Sequence, residues 1–209
     1  MTSSPHAQVL LESALRDGGA SLNELLPLYV NYLKLMATTQ MDAKIRQRVS
    51  PSDVVQETCF EAHRDFHQFR GGTEREFVSW LRRILVHNIA RLVERHVLAD
   101  KRDVRREVSL EGMQRSLERS TIRLRAILAD KGGSPSSQAL RRERSVLLAD
   151  QIAQLPEDYR DVIMLRNIEG LRFEEVAQRM NRSSGAARML WLRAIDQLRT
   201  LLAERGLVS

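Results

Sequence analysis

The chain has 209 residues, enough for two small domains or one medium one, and 33 Lys/Arg against 27 Asp/Glu give a net charge of +6. Its one cysteine, Cys59, excludes an intramolecular disulfide and a cysteine-based zinc site; as a helical residue it reads as a small buried hydrophobe. The N-terminus shows no basic segment leading into an apolar one, and no apolar run reaches the ~18 residues of a membrane helix, so a soluble, cytoplasmic protein is expected.

Nearly every segment repeats at helical period and few β-branched alternating runs occur, so the expected fold is all-α. Residues 1–21 read as an N-terminal extension. From Leu22 to Val49, Leu22, Leu25, Leu26, Tyr29, Leu33 and Met36 recur at three- and four-residue steps, giving one or two helices. Ser50-Pro51-Ser52 restarts the chain, with Ser50 or Ser52 as a cap and Pro51 in a first turn. A helix follows over Asp53–His67, with Val55, Cys59, Ala62 and Phe66 as its buried stripe, and Gly71-Gly72-Thr73 ends it. The spacing predicts a further long helix from Arg75 to Leu98, closing a first domain over 22–99.

Residues 100–144 read as a linker. They are charged, they carry Gly132-Gly133-Ser134-Pro135-Ser136-Ser137, and a marginal helix over Gln114–Leu128 is the only regular element expected in them. Extended, ~40 residues reach on the order of 130 Å. The second domain, 145–209, begins with a helix whose face is Val146, Leu148, Ile152 and Leu155 and which Pro156 breaks. Tyr159–Ile168 forms the next, closed by Gly170 as a left-handed stop.

The run LRFEEVAQRMNRSSGAARMLWLRAIDQLRTLL (171–202) then reads as two helices around a tight turn, a unit that places its second helix in the major groove of DNA. Phe173, Val176, Ala177 and Met180 face inward on the support helix, and Ala177 is small where the two helices cross. Asn181 takes the turn position that needs positive φ, and Ser183 caps the reading helix. Ala187, Trp191, Ala194 and Leu198 fall at core spacing, so Trp191 is expected to pack rather than stack on bases. Ser184, Gly185, Arg188, Met189, Leu192 and Arg193 are left on the exposed side, with Arg188 and Arg193 as forks for bases or phosphates.

The first domain carries a sharp charge boundary. Residues 50–68 hold four acidic side chains against Arg64, whereas 70–106 hold ten Lys/Arg and five Asp/Glu. Asp53, Gln56, Glu57 and Phe60 share one helix face, where an exposed aromatic among acceptors suits a protein partner; Phe60 packed inside an ordinary solvated acidic helix is the alternative. Arg83, His87, Arg91 and Arg95 follow four-residue steps, and Phe69 and Trp80 bracket a Gly-rich loop. Aromatics beside a basic stripe grip unstacked bases, although Trp80 fits equally into a core with Phe77, Leu81 and Ile84.

In three segments the chain resembles the sigma-70 family of bacterial transcription initiation factors, in its compact extracytoplasmic-function (ECF) type. They are SDVVQETCFEAHRDFHQFRGG, FVSWLRRILVHNIARLVERH and LPEDYRDVIMLRNIEGLRFEEVAQRMNRSSGAARMLWLRAIDQLR. The resemblance implies two helical domains joined by a long linker, a promoter-specificity subunit and no enzymatic activity or cofactor. It implies that Asp53, Gln56, Glu57 and Phe60 dock on the clamp helices of RNA polymerase core. Phe69, Arg70, Gly71 and Thr73 would capture a flipped base of the minus-ten element, and Trp80, Arg83, His87, Asn88 and Arg91 would line the melted strand. Arg182, Ser183, Ser184, Gly185, Arg188, Met189, Leu192 and Arg193 would read the minus-thirty-five duplex, the second domain resting on the polymerase flap. An anti-sigma factor is a further candidate partner.

Two other classes compete. A dimeric helix-turn-helix regulator predicts palindromic footprints without polymerase, but no dimer zipper is evident. A nucleic-acid-modifying enzyme lacks support: His6, His63, His67, His87 and His96 join no catalytic arrangement, and no Walker-type phosphate loop occurs. His63 and His67 have metal-ligand spacing, but no third ligand accompanies them.

Overall fold

The computed structural model describes residues 3–99, 110–127 and 138–205. The Gly/Ser-rich stretch 132–137 of the expected linker lies outside them. Every regular element among the described residues is helical. The chain divides into two compact units, Met1–Glu118 and Arg119–Ser209.

The first unit opens with α1 (Ser3–Arg16), followed by α2 (Leu22–Leu25), a single 3₁₀ turn (Leu26–Tyr29) and α3 (Val30–Gln40). Pro27, which has no N–H to give, sits in the first turn of that 3₁₀ segment, where none is needed. After α4 (Ala43–Arg46) come α5 (Pro51–Asp65), a second 3₁₀ turn (Phe66–Gln68) and α6 (Glu74–Ala99). α5 packs along α6, and α3 packs on both. Tyr29, Tyr32, Leu33, Met36, Phe77, Leu81, Leu85 and Ile89 fill the core, each contributing about 1.5–3 kcal/mol by leaving water.

Two expectations change here. Within the expected N-terminal extension, α1 buries Ala7, Leu10, Leu11 and Ala14 and packs against α2 and α6, so it is part of the first unit's core. The buried stripe of α5 is also rotated: Val54, Val55, Thr58, Glu61 and Ala62 are buried in the helix and Phe66 just after it, while Cys59 is only half-buried. The helix meets α3 on one side and α6 on the other, so its covered arc is wider than a single stripe. Partial burial pushes the Cys59 thiol above its ordinary range, so it stays a thiol.

Residues 100–144 hold more helix than expected, since α7 runs over Leu110–Ala126 and α8 over Gln138–Gln154. The second unit takes in the end of α7, where Arg123 donates to the carbonyls of Ile168 and Glu169. α9 (Glu157–Ile163) continues into a wider, π-type segment (Met164–Glu169), and α10 (Phe173–Arg179) and α11 (Ser184–Glu204) complete the fold. Gly170 closes the π segment at φ 77°, a conformation that costs glycine nothing. α11 is the central element, packing on α8, α9 and α10 through Ala187, Ala194, Leu198 and Leu202.

Candidate functional site

The acidic face is built by its own helix start. Ser50 Oγ accepts from the Asp53 N–H at 3.1 Å and Asp53 Oδ2 accepts from the Ser50 N–H at 3.1 Å, a reciprocal cap that fixes where α5 begins. Asp53 is therefore partly committed to the fold. Gln56 and Glu57 are exposed one turn later, beside Phe60 with 63% of its surface in water. An aromatic so exposed among acceptors is an unused contact surface on this helix.

The loop between α5 and α6 rests on an aromatic floor. Phe69 stacks on Phe66 at 5.9 Å between ring centres, meets Phe77 edge-on at 5.6 Å, and lies 5.3 Å from Trp80. Phe69 is buried by these contacts, whereas Trp80 is half-buried. Phe69 thus supports the loop from below and does not present a free stacking face. Above it, a Cβ at Gly71 would come within 2.5 Å of Phe69 Cζ and 2.7 Å of Glu76 Cβ, so only glycine lets the chain pass. The Glu76 carboxylate accepts from the N–H groups of Gly72 and Thr73 and from Thr73 Oγ1, while the Glu76 N–H returns to Thr73 Oγ1. The Thr73 hydroxyl and the two backbone amides hold that carboxyl below its ordinary range. Arg70 is exposed at the loop's start, its guanidinium on the His67 carbonyl at 3.1 Å.

Along α6 the expected stripe separates into two groups. Arg83, His87, Arg91 and Arg95 are exposed. Asn88 is only 5% exposed and lies in the interior: its Nδ2 donates to Thr58 Oγ1 at 3.2 Å, and Thr58 donates in turn to the Val54 carbonyl. Arg91 donates to the Glu61 carboxylate and to Asn88 Oδ1. Asn88 is thereby corrected from a strand-lining residue to a buried bridge between α5 and α6, and Arg91 carries a charge already offset within the fold. The signal was present, since 77, 81, 85, 88, 89 and 92 form one helical stripe that includes Asn88. Glu61 gave none, because its partner lies thirty residues away.

In the second unit the helix-turn-helix forms as its residue types require. Asn181 adopts φ 52°, the Arg182 N–H closes on the Ala177 carbonyl at 2.9 Å, and Ser183 Oγ accepts from the Ala186 N–H at 3.2 Å. Arg172, having no acceptor, cannot cap α10, but Glu175 accepts the Arg172 N–H at 2.7 Å and supplies the return half of a capping box. Trp191 packs edge-on against Phe173 at 5.7 Å and donates Nε1–H to Asn167 Oδ1 at 2.7 Å.

Ser184 is half-buried, whereas Gly185, Arg188, Met189, Leu192 and Arg193 are exposed on one side of α11, with open space at Gly185. Arg182 is held by Asp158 at 2.6 Å. Arg166 emerges as a residue that periodicity missed. Its guanidinium lies over the Phe173 ring at 4.7 Å, and that of Arg188 lies at 5.2 Å from the same ring. One aromatic ring thus orients two cations. No group of His, Cys, Asp and Glu suited to a metal occurs among the described residues.

Comparison with known proteins bears on both units. The family model described as Sigma-70 region 2 matches residues 23–97, and the model described as Sigma-70, region 4, matches 145–198. Among curated proteins, the ECF RNA polymerase sigma-E factor of Haemophilus influenzae is 29% identical over 191 residues, covering 91% of this chain and 92% of that protein. The proteins of the same description from Salmonella typhimurium and Escherichia coli are each 28% identical over 195 residues, covering 91% of both chains.

Proposed function

The chain belongs to the sigma-70 family of transcription initiation factors, in its ECF type, and on that premise we propose how its two units divide the work of promoter recognition. Members of this family are initiation factors and not enzymes. The first unit docks on the clamp helices of RNA polymerase core through Gln56, Glu57 and Phe60, with the outer edge of Asp53 contributing. The Arg70–Thr73 loop, together with Trp80, Arg83 and His87, takes the unpaired strand of the minus-ten element. Phe69 and Asn88 act from beneath as supports, and Arg91 reaches DNA only by leaving Glu61. The second unit reads the minus-thirty-five duplex with α11 while resting on the polymerase flap. Acting with polymerase, the protein works in the cytoplasm. Among the described residues, no helix is long and apolar enough to cross a membrane.

The observation that carries this reading is the adjacency, on two packed helices, of an exposed acidic–aromatic face and an exposed cationic stripe. A single charged face would suit many partners, whereas opposite faces on neighbouring helices suit an anionic strand held against a protein. The mechanism is differential binding. An exposed base costs a few kcal/mol to unstack, and a surface that holds it returns part of that cost, so the melted state is favoured without bond chemistry.

On the duplex side, the guanidinium groups of Arg188 and Arg166 each lie over Phe173, and both suit base edges or backbone phosphates. Ser183 and Ser184 start the helix whose N–H groups face the backbone. Arg182 and Arg193 add phosphate contacts, and the exposed apolar tips of Met189 and Leu192 suit thymine methyl groups. Gly185 leaves room for the DNA backbone to approach. The test is run-off transcription with bacterial core polymerase over a genomic promoter library. Specific transcripts that require the added chain are expected. No transcript, together with no core binding, would refute the reading.

A further inference from the structure

We propose that Gln8, on α1, is a positioning residue for the loop between α5 and α6, so that the N-terminal helix belongs to the single-strand recognition surface. The inference rests on the reading that this loop captures an unpaired base. Gln8 Nε2 donates to the Gly72 carbonyl at 3.1 Å, and Gln8 Oε1 accepts from the Glu74 N–H at 3.0 Å. A carboxamide carries donor and acceptor on one planar head, so a single side chain closes on two backbone groups two residues apart. The same Nε2 donates to Glu12 Oε1 at 3.0 Å one turn along α1, which fixes the head's orientation.

The loop is held from its other side as well. Glu76 takes the N–H groups of Gly72 and Thr73, and the Tyr29 hydroxyl donates to Glu74 Oε1 at 3.0 Å. Backbone groups of residues 72–74 are therefore satisfied before any ligand arrives, and the chain at 71 passes so close to Phe69 and Glu76 that only glycine fits. Gln8 itself stands on a helix anchored by Ala7, Leu10, Leu11 and Ala14. A loop ordered in advance loses less freedom on binding and keeps one shape for one base. What Gln8 governs is accordingly selectivity at a single unpaired position, and not the overall grip on DNA.

The experiment uses the full chain bound to core polymerase. The probe is a fork-junction DNA library, duplex upstream with a randomised single strand downstream, read by sequencing of the bound fraction. Gln8→Met keeps the side chain's length and removes all three hydrogen bonds, two of them to the loop; it is expected to flatten enrichment at one unpaired position by about 3- to 10-fold, the worth of a neutral hydrogen bond. Gln8→Glu keeps the acceptor for the Glu74 N–H but sets a carboxylate oxygen against the Gly72 carbonyl and the Glu12 carboxylate, and is expected to lose that selectivity as Gln8→Met does. Ile152→Ala, a core truncation in the other unit that leaves α1 and the loop untouched, is expected to lower the melting temperature with no loss confined to one unpaired position. Enrichment unchanged in Gln8→Met, or reduced evenly at every position, overturns the proposal.

Amide exchange at Glu74 in the free full chain reads the clasp without DNA. It is expected to be about 3- to 10-fold faster in Gln8→Met, and an unchanged rate overturns the clasp. A flat wild-type profile together with faster exchange in the variant overturns the assignment of the loop to DNA, and with it the recognition role of Gln8, while the clasp itself stands.

Discussion

Gly71→Ala is expected to loosen the first unit, while Gly72→Ala, one residue on, is expected to leave it unchanged. A methyl at 71 would fall 2.5 and 2.8 Å from ring atoms of Phe69 and 2.7 Å from Glu76 Cβ, distances at which something must move. The Phe69 ring cannot swing away, because Phe66, Phe77 and Trp80 hold it on several sides. Glu76 Cβ cannot retreat either, being fixed to the first turn of α6. Overpacking of this kind costs about 2 kcal/mol, which in a ~100-residue unit lowers the melting temperature by roughly 8–16 °C. At Gly72 nothing lies within 4 Å of an added Cβ, so the change should stay within about 0.5 kcal/mol. Thermal melts of the full chain followed by circular dichroism, and by Trp80 fluorescence in a Trp191→Phe background, read both variants. Single-strand binding by the polymerase complex should fall in parallel at Gly71→Ala. A Gly71→Ala protein melting within about 2 °C of wild type, or indistinguishable from Gly72→Ala, would refute the close-approach argument.

Other outcomes follow from the same geometry. Arg188→Ala should weaken binding to upstream duplex by about 1–3 kcal/mol and reduce its salt dependence, while affinity for core polymerase, measured by fluorescence anisotropy, stays unchanged. Glu57→Lys should impair assembly with core at unchanged stability, whereas Asp53→Lys should impair assembly and also cost about 1 kcal/mol of stability through its lost cap; equal melting curves would deny Asp53 its capping role. Folding holds the Glu76 carboxyl below its ordinary value of 4.5, so its contribution is complete above that pH and is lost as pH falls through the lower folded-state value. Glu76→Gln should therefore flatten the acid limb of the stability profile, and an acid titration superimposable on wild type would contradict this. Glu61→Gln should free Arg91 and strengthen low-salt binding to single-stranded DNA by a few-fold, within what a half-exposed ion pair is worth; no gain would mean that Arg91 does not face the strand.

Much of the site was legible because capping, turn chemistry and helical period are local. Ser50 and Ser183 cap where the sequence places caps, Asn181 takes its positive φ, and Trp191 packs inward. Phe60 stands exposed, which resolves the alternative that periodicity left open. Gln56 and Glu57 are exposed as well, so the acidic face is available to a partner. The misplacements share one cause. Asn88 was read as a surface group because polar residues on a long helix usually are, yet Thr58 on the facing helix draws it into a buried bridge, while Arg91, exposed as expected, is paired with Glu61. Phe69 was read as a base platform because it flanks a glycine loop, yet three other aromatics converge on it.

Sequence by itself determined the all-helical class, the separation into two units, the helix-turn-helix with its turn and cap, and the sign of charge on each helix. Those properties depend on residues within about a turn of one another, so spacing carries them. Tertiary structure alone decided that α1 reaches the loop through Gln8, that Glu61 answers Arg91, and that Arg166 and Arg188 both lie over Phe173. Each of these joins groups on different helices, and a hydrogen bond or a cation over a ring forms only when packing brings both partners within a few ångströms. Periodicity tells which side of a helix is covered. It carries no information about which residue of which other helix does the covering.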